Sequence, residues 1–295
     1  MPTIFITGAS GRTSGFVIQA LLQSKAISPS DLRLFVRSQD KAKKLQERYP
    51  QLPDASFAIG DYLEAGTLPP ALKGVDVVFH NGPAFHSLET AMGIALIDAA
   101  KKAGVKHFVY CSVLFPVLTK LLNHKAKLPV EEHLIESGLN YTILQPTSFM
   151  QNVNIQNVVS AGILRANYTP NVLQGYLDLQ DLADVARLVI LDPASHNRAR
   201  YELSGENCTY EDVAKQISAH TGKQIKVELV PREKIIGSSD IHVAFPDDNS
   251  IEALDRMLYY YDRRGIPGNS NTVRWLLGRE PTSWAARIRR DLQWS

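Results

Sequence analysis

Only two of the 295 residues are cysteine, Cys111 and Cys208. That is too few for a disulfide scaffold and fits a reducing compartment. Long apolar runs are missing too. None approaches the roughly 20 residues that span a bilayer, and Met1-Pro2-Thr3 leads straight into an apolar strand. No membrane span and no signal peptide are expected. Neither sign of charge dominates, since 32 Lys and Arg face 30 Asp and Glu for a net charge of +2. No global field therefore draws the chain to nucleic acid or to a membrane surface. The eight histidines and two cysteines fall at no metal-ligand spacing, and no repeat or low-complexity segment interrupts the chain. These absences leave a cytoplasmic globular protein with no metal, long enough for one large α/β domain or two smaller ones.

What is present starts near the N-terminus. The apolar run Thr3-Ile4-Phe5-Ile6 breaks into the turn Thr7-Gly8-Ala9-Ser10-Gly11-Arg12-Thr13-Ser14-Gly15, which opens an amphipathic segment from Phe16 to Leu22. A strand, a glycine turn and a helix in that order form the opening of a dinucleotide-binding fold. Glycine lets the backbone approach a pyrophosphate, and the helix start offers unpaired N–H donors. Further strands are expected at 31–38, 55–61, 75–80, 106–112 and 140–144, with helices at 63–72 and at 88–103, the latter stopped by Gly104. Apolar runs alternating with helical patterns predict βαβ units in a doubly wound parallel sheet.

Beyond Pro146 the rhythm loosens, and 147–175 shows no clean periodicity. Helices are expected at 181–191 and 210–220, and strands at 201–204 and 225–230. A mostly helical tail covers 250–294, its last helix opened by Thr282 or Ser283 after Pro281. The expected division is a cofactor-binding part, 1–150, to which the chain later returns, and a smaller α/β substrate-binding lobe, 151–295.

The end of the second strand bears on the cofactor. A site for NAD usually places Asp or Glu there, for the ribose hydroxyls. Here Arg37 holds that place, with Ser38 and Lys41 behind it. A guanidinium suits the extra phosphate of NADP(H) through charge-assisted bonds, and Arg12 lies within the loop for the same phosphate. A plain surface charge is the alternative reading of Arg37.

Several stretches then fall into a known order. They are the glycine turn, Arg37, Gly60-Asp61, the run from Ala99 to Val109, Ser137 to Pro146, Phe149-Met150-Gln151-Asn152, Leu179 to Ala186, and Leu276 to Ser283. Together the chain resembles the NmrA-like family, atypical short-chain dehydrogenase/reductases that usually bind NADP(H). The resemblance implies a Rossmann fold and assigns the cofactor loop to Gly8, Ser10, Gly11, Arg12, Thr13 and Ser14. Ser14 stands where the family has its third glycine, with a hydroxyl to offer a phosphate. Asp61 and Tyr62 would flank the adenine, and Asn81, Gly82 and Pro83, after His80, would underlie the ribose and nicotinamide. Pro146, Phe149 and Asn152 would lie over the nicotinamide, Phe149 stacking on it.

For catalysis the resemblance places the family's lysine at Lys127, where it would also bind the cofactor at the nicotinamide ribose, and the superfamily's serine at Ser112. The usual tyrosine, four residues before the lysine, is absent: Asn123 stands there. A proton donor is then left open among Lys127, His124, Tyr168 and Tyr176. Cys111 reads as a buried strand residue. Phe85, Tyr168, Tyr176 and the Tyr259-Tyr260-Tyr261 run are candidates for an apolar cleft, with at least two of the run expected on a helix surface packed on the lobe. Arg287-Ile288-Arg289-Arg290 reads as a solvated helix face. The leading expectation is an NADPH-dependent oxidoreductase acting on a small, largely apolar quinone, enone or carbonyl substrate. A non-catalytic NADP(H)-sensing regulator and a redox-neutral cyclase or isomerase are the alternatives. A homodimer or a regulatory protein partner stays open.

Overall fold

Seven short strands, largely buried except for the two at the edges, form the main sheet in the computed structural model, which describes residues 2–64, 66–244 and 247–293. In chain order they are β1 (Ile4–Ile6), β2 (Leu32–Val36), β3 (Phe57–Ile59), β4 (Val77–His80), β5 (His107–Cys111) and β6 (Tyr141–Pro146). After three strands of the second lobe, β7 (Ser148–Phe149), β8 (Ile163–Ala166) and β9 (Gln174–Leu177), β10 (Ala199–Leu203) completes the set. The spatial order is β10-β6-β5-β4-β1-β2-β3, with every pairing parallel. Ile4 lies level with Leu32 on one side and Val77 on the other. The strand order therefore reverses between β1 and β4, and ligands of open α/β sheets bind at such a reversal.

Both faces are covered, which is why the strands read as continuous apolar runs. On one side lie α1 (Arg12–Gln23) and α2 (Gln39–Arg48). On the other lie α3 (Leu68–Leu72) and α4 (Glu89–Ala103), followed after the short α5 (Leu122–Lys125) by α6 (Leu128–Glu136). Leu96, Ile97, Val130 and Leu134 pack this second face. Gly104 ends α4 at φ 74, as its position after the apolar pattern predicts.

The stretch without periodicity contains β7, α7 (Ile155–Ala161), β8 and the first residues of β9. Each is too short to print a period. The chain then returns to the sheet. Helix α8 (Leu179–Leu191) packs Val185, Ala186 and Val189 into the core beside Val17, Ile18 and Leu21 of α1, and β10 pairs with β6. It starts two residues before the expected Asp181 because the Asp178 carboxylate accepts from Gln180 N at 2.8 Å.

The second lobe holds β11 (Glu206–Cys208), α9 (Tyr210–Thr221) and β12 (Lys226–Leu229). The helices α10 (Arg232–Ile236), α11 (Ser239–Ala244), α12 (Asp248–Arg264), α13 (Asn271–Leu277) and α14 (Trp284–Gln293) complete it. β9 pairs parallel with β7 and antiparallel with β11, and β8 pairs with β12. Ser283 opens α14, its hydroxyl accepting from Ala286 N at 3.1 Å. The arginine run of α14 corrects the expected solvated face. Arg287 is 3% exposed. Its guanidinium donates to the carbonyls of Met150 and Val153 and pairs with Asp291, while Arg290 pairs with Asp178 at 2.7 Å. The run anchors α14 to the start of α8, and only Arg289 is left exposed. Among the described residues, no helix is long and apolar enough to cross a membrane.

Candidate active site

Between β1 and α1 the chain turns at Gly8, in the left-handed region at φ 59. A Cβ there would lie 2.5 Å from the Asn81 carbonyl oxygen, so only glycine lets the loop seat on β4. Gly11 caps α1 with no side chain, and its N–H donates to the Gly8 carbonyl at 2.8 Å. The N–H groups of the first helical turn, Arg12, Thr13 and Ser14 among them, have no intrahelical acceptor and no capping side chain over them. They lie at the positive end of the helix dipole, a fit for a pyrophosphate.

Ser14 supports this loop from behind. It is fully buried, donates to the Thr7 carbonyl at 2.9 Å and accepts from Asn81 Nδ2 at 3.3 Å. Its hydroxyl is therefore committed within the fold, unlike the phosphate donor expected of it. Arg12 turns toward the opposite lobe, donating to the Gln151 carbonyl at 2.8 Å and to Asn152 Oδ1. The structure thus joins two expected cofactor residues, Arg12 and Asn152, to each other, and does not bring Arg12 to Arg37.

A cavity of about 230 Å³ lies at the carboxyl ends of β1, β2 and β4. Gly8, Ser10, Gly11, Arg37, Lys41, Asp61, Tyr62, Asn81, Gly82 and Pro83, all expected at the cofactor, are brought together in its lining. Arg37 and Lys41 are exposed, and among the described residues neither is in an ion pair. Two uncompensated cations beside the loop suit an anion. Asp61 is partly engaged, its carboxylate accepting from Leu63 N at 2.9 Å. The Tyr62 ring meets Phe35 edge-on at 5.2 Å, and burial raises its pKa. Phe35, Val36, His86 and Met92 also line the cavity and were not singled out in the sequence. Phe35 and Val36 immediately precede Arg37, a signal that was there to use. Met92 and His86 gave none.

Beneath the turn at the end of β4 lies a buried polar group. Thr7 Oγ1 meets His80 Nδ1 at 2.8 Å and accepts from Asn81 N at 3.0 Å. Burial, and then the charge of Lys127, holds the His80 pKa down at about 3, so the ring is neutral at working pH. It stacks on Tyr110 at 5.5 Å.

The residues expected to carry catalysis lie behind this layer. Lys127 caps α6, is 7% exposed and binds Glu89 at the start of α4 through a 2.5 Å contact. Burial opposes its charge, but the Glu89 carboxylate outweighs that and its pKa is raised. Ser112 donates to Glu131 at 2.5 Å, and Gln145 donates to the same carboxylate. His124 is fully buried, its Nδ1 donating to the Phe115 carbonyl at 3.1 Å, and burial lowers its pKa to about 4. Neither Lys127, His124 nor Ser112 lines the cofactor cavity or its apolar neighbour. Pro146 is buried, and Phe149 packs against the core between the sheet and α1. Glu89 was missed, because its partner is 38 positions away and no local pattern marks it. Burial raises the Cys111 thiol to about 11, consistent with a buried strand residue.

A second cavity, about 440 Å³, opens between α7, β8, β9 and α12. Phe85, Tyr168, Tyr176, Tyr261, Val158 and Met257 give it an apolar lining, and Arg165 is its single charged lining residue among those described. The Tyr168 and Tyr176 hydroxyls are 3.1 Å apart. Burial raises the pKa of both, and each therefore keeps its proton. Of the tyrosine run only Tyr261 faces the cavity. Tyr259 lies under the Arg263 guanidinium at 3.7 Å, and Tyr260 packs on the lobe core.

The sheet order, the uncapped glycine loop at its reversal point and the two free cations define a Rossmann-fold dinucleotide-binding protein. The chain belongs to the NmrA-like family, whose model matches residues 1–283. It is 31% identical over 238 residues to the NAD(P)H azoreductase of Xenophilus azovorans, covering 78% of each chain. Its fold matches that of the Escherichia coli NADPH-dependent quinone oxidoreductase solved with NADPH, at TM-score 0.75 and 24% identity, over 97% of this chain and 99% of that one. The Citrobacter triphenylmethane reductase with NADP(H) gives TM-score 0.79 at 21% identity, over 98% and 99%.

Proposed function

We propose that the chain is an NADPH-dependent reductase of a small, largely apolar acceptor such as a quinone or enone. The observation that carries this reading is the pairing of two cavities: one with an uncapped glycine loop and the cations Arg37 and Lys41, the other apolar and lined by tyrosines. The loop amides would hold the pyrophosphate, Arg37 and Lys41 the additional phosphate, Asp61 and Tyr62 the adenine end. Asn81, Gly82 and Pro83 would carry the nicotinamide half. NADPH, when bound, supplies a hydride. The names of the azoreductase and quinone oxidoreductase relatives favour an acceptor of that kind.

The acceptor also needs a proton. Asn123, where the tyrosine of the superfamily would stand, has none acidic enough. Ser112 directs its hydroxyl hydrogen at Glu131, His124 directs its N–H at the Phe115 carbonyl, and Lys127 is held by Glu89. Tyr168 and Tyr176 remain, with paired hydroxyls inside the apolar cavity. In this reading both tyrosines hydrogen-bond the reduced oxygen, and the proton itself comes from solvent at the cavity mouth, because burial makes either phenol a weak acid. A quinone, whose reduced oxygen is easily charged, needs little acid help, which fits the missing residue.

The test is oxidation of NADPH, followed by nicotinamide absorbance, over a panel of quinones and enones, with NADH in parallel. Turnover faster with NADPH is expected. Tight NADPH binding with no turnover across the panel would instead favour an NADP(H)-sensing regulator, the second reading, which Asn123 supports.

A further inference from the structure

Two loops at the carboxyl end of the sheet each carry a phenylalanine in the left-handed region, Phe85 after β4 at φ 66 and Phe115 after β5 at φ 56. A residue with a Cβ takes that conformation only at a cost, and such positions gather at ligand sites. In both, the carbonyl is held by a side chain from further along the chain. His124 holds Phe115, and Ser250 Oγ donates to the carbonyl of Phe85.

Phe85 stands at the border of the two cavities. Pro83 and His86 line the cofactor cavity, while Phe85, between them in sequence, lines the apolar one. The left-handed kink sends one side chain to the far side of the border. Its latch comes from the other lobe. Ser250 is 3% exposed and sits in the first turn of α12, where its N–H donates to Asp247 Oδ1 at 2.8 Å. Its single hydroxyl proton is shared between the Phe85 carbonyl and Asp247 Oδ2, the latter at 2.9 Å. Two and three turns further along α12, Met257, Leu258 and Tyr261 line the same cavity. One helix thus both latches Phe85 and faces it. Glycine would adopt this backbone freely, yet the chain places a large ring there, so the ring is what the position supplies.

We propose that Phe85, held by Ser250, is the specificity-determining wall of the apolar cavity and sets the width of the aromatic acceptor admitted beside the cofactor turn. The inference rests on that cavity being the acceptor site. Two readouts test it in wild type, Phe85→Gly, Ser250→Ala and Ser250→Thr. One is kcat/KM for p-benzoquinone against the three-ring phenanthrenequinone. The other, independent of turnover, is calorimetric binding of phenol against phenanthrol to the NADP-loaded protein. Phe85→Gly should shift both ratios toward the three-ring compound by about tenfold, the scale of a changed apolar pocket wall. Its thermal midpoint should hold or rise, because glycine relieves the backbone, whereas a merely structural ring would lower it. Ser250→Ala should shift the ratios less, in the same direction, and Ser250→Thr should keep wild-type values. Phe85→Leu, expected to move the ratios the same way, replaces the glycine variant if that one does not fold. Ratios that do not move in a protein that binds these ligands overturn the inference alone. Wild type that binds neither phenol nor phenanthrol, and turns over neither quinone, overturns the acceptor-site reading and this inference with it.

Discussion

Arg37 and Gly8 do different work in the same cavity, and substitution separates them. Arg37 makes no ion pair among the described residues, so Arg37→Ala should leave the fold intact and act on the cofactor's extra phosphate. A charge-assisted contact of about 1.5–3 kcal/mol corresponds to roughly a tenfold to hundredfold loss of NADPH affinity, with NADH little changed. Titration of both cofactors checks this, and an equal loss for the two would refute it. Gly8→Ala meets the Asn81 carbonyl and a positive φ together. It should weaken both cofactors and lower stability by about 1–3 kcal/mol, measured by thermal unfolding beside the same titration. Arg37 and Gly8 were legible because strand ends and glycine turns announce themselves locally. The commitment of Ser14 to Thr7 and Asn81 was not, since it depends on where β4 passes.

At the scale of elements, the break between α5 and α6 puts Lys127 under the cofactor turn and α4 puts Glu89 against it. Both are buried, and taking one partner away leaves an uncompensated charge. Lys127→Met should therefore cost about 3–5 kcal/mol, while Lys127→Met with Glu89→Leu should recover much of the loss. Urea unfolding of the two single variants and the double closes that cycle; additive losses would mean the pair is not coupled. The six strands of the first half were readable as apolar runs, and α1 and α4 from their helical patterns, while the helix expected at 63–72 forms only over Leu68–Leu72. The pieces between Ser148 and Leu177 were not, being two to seven residues long. The arginines of α14 misled for a related reason: three cations at helical spacing look solvated until Met150 and Val153 are seen to offer carbonyls beneath them.

At the scale of the whole molecule, three histidines among the described residues are buried in neutral form. Burial lowers His80 to about 3 and both His107 and His124 to about 4. In the unfolded chain each takes a proton near pH 6.5. Their contribution is therefore complete above that pH and is lost as pH falls toward the folded values. The loss is about 1.4 kcal/mol per pH unit for each histidine. Urea unfolding between about pH 7 and pH 4.5 should show stability declining steadily, and a flat profile would contradict it. The parallel sheet and its two covered faces were legible from the order of apolar runs. That a strand and a helix from beyond Leu177 complete it was foreseen only as a single return, since nothing local in Ala199–Leu203 names β6 as its partner.

That late return has a consequence for synthesis. When the first 150 residues have left the ribosome, six of the seven strands exist, but the outer edge of β6 and the apolar stripe of α1 have no cover. At roughly 5–20 residues per second, the cover arrives several seconds later, with α8 and β10. During that interval the nascent chain exposes an unpaired strand edge beside an apolar helix face, the kind of surface that invites aggregation.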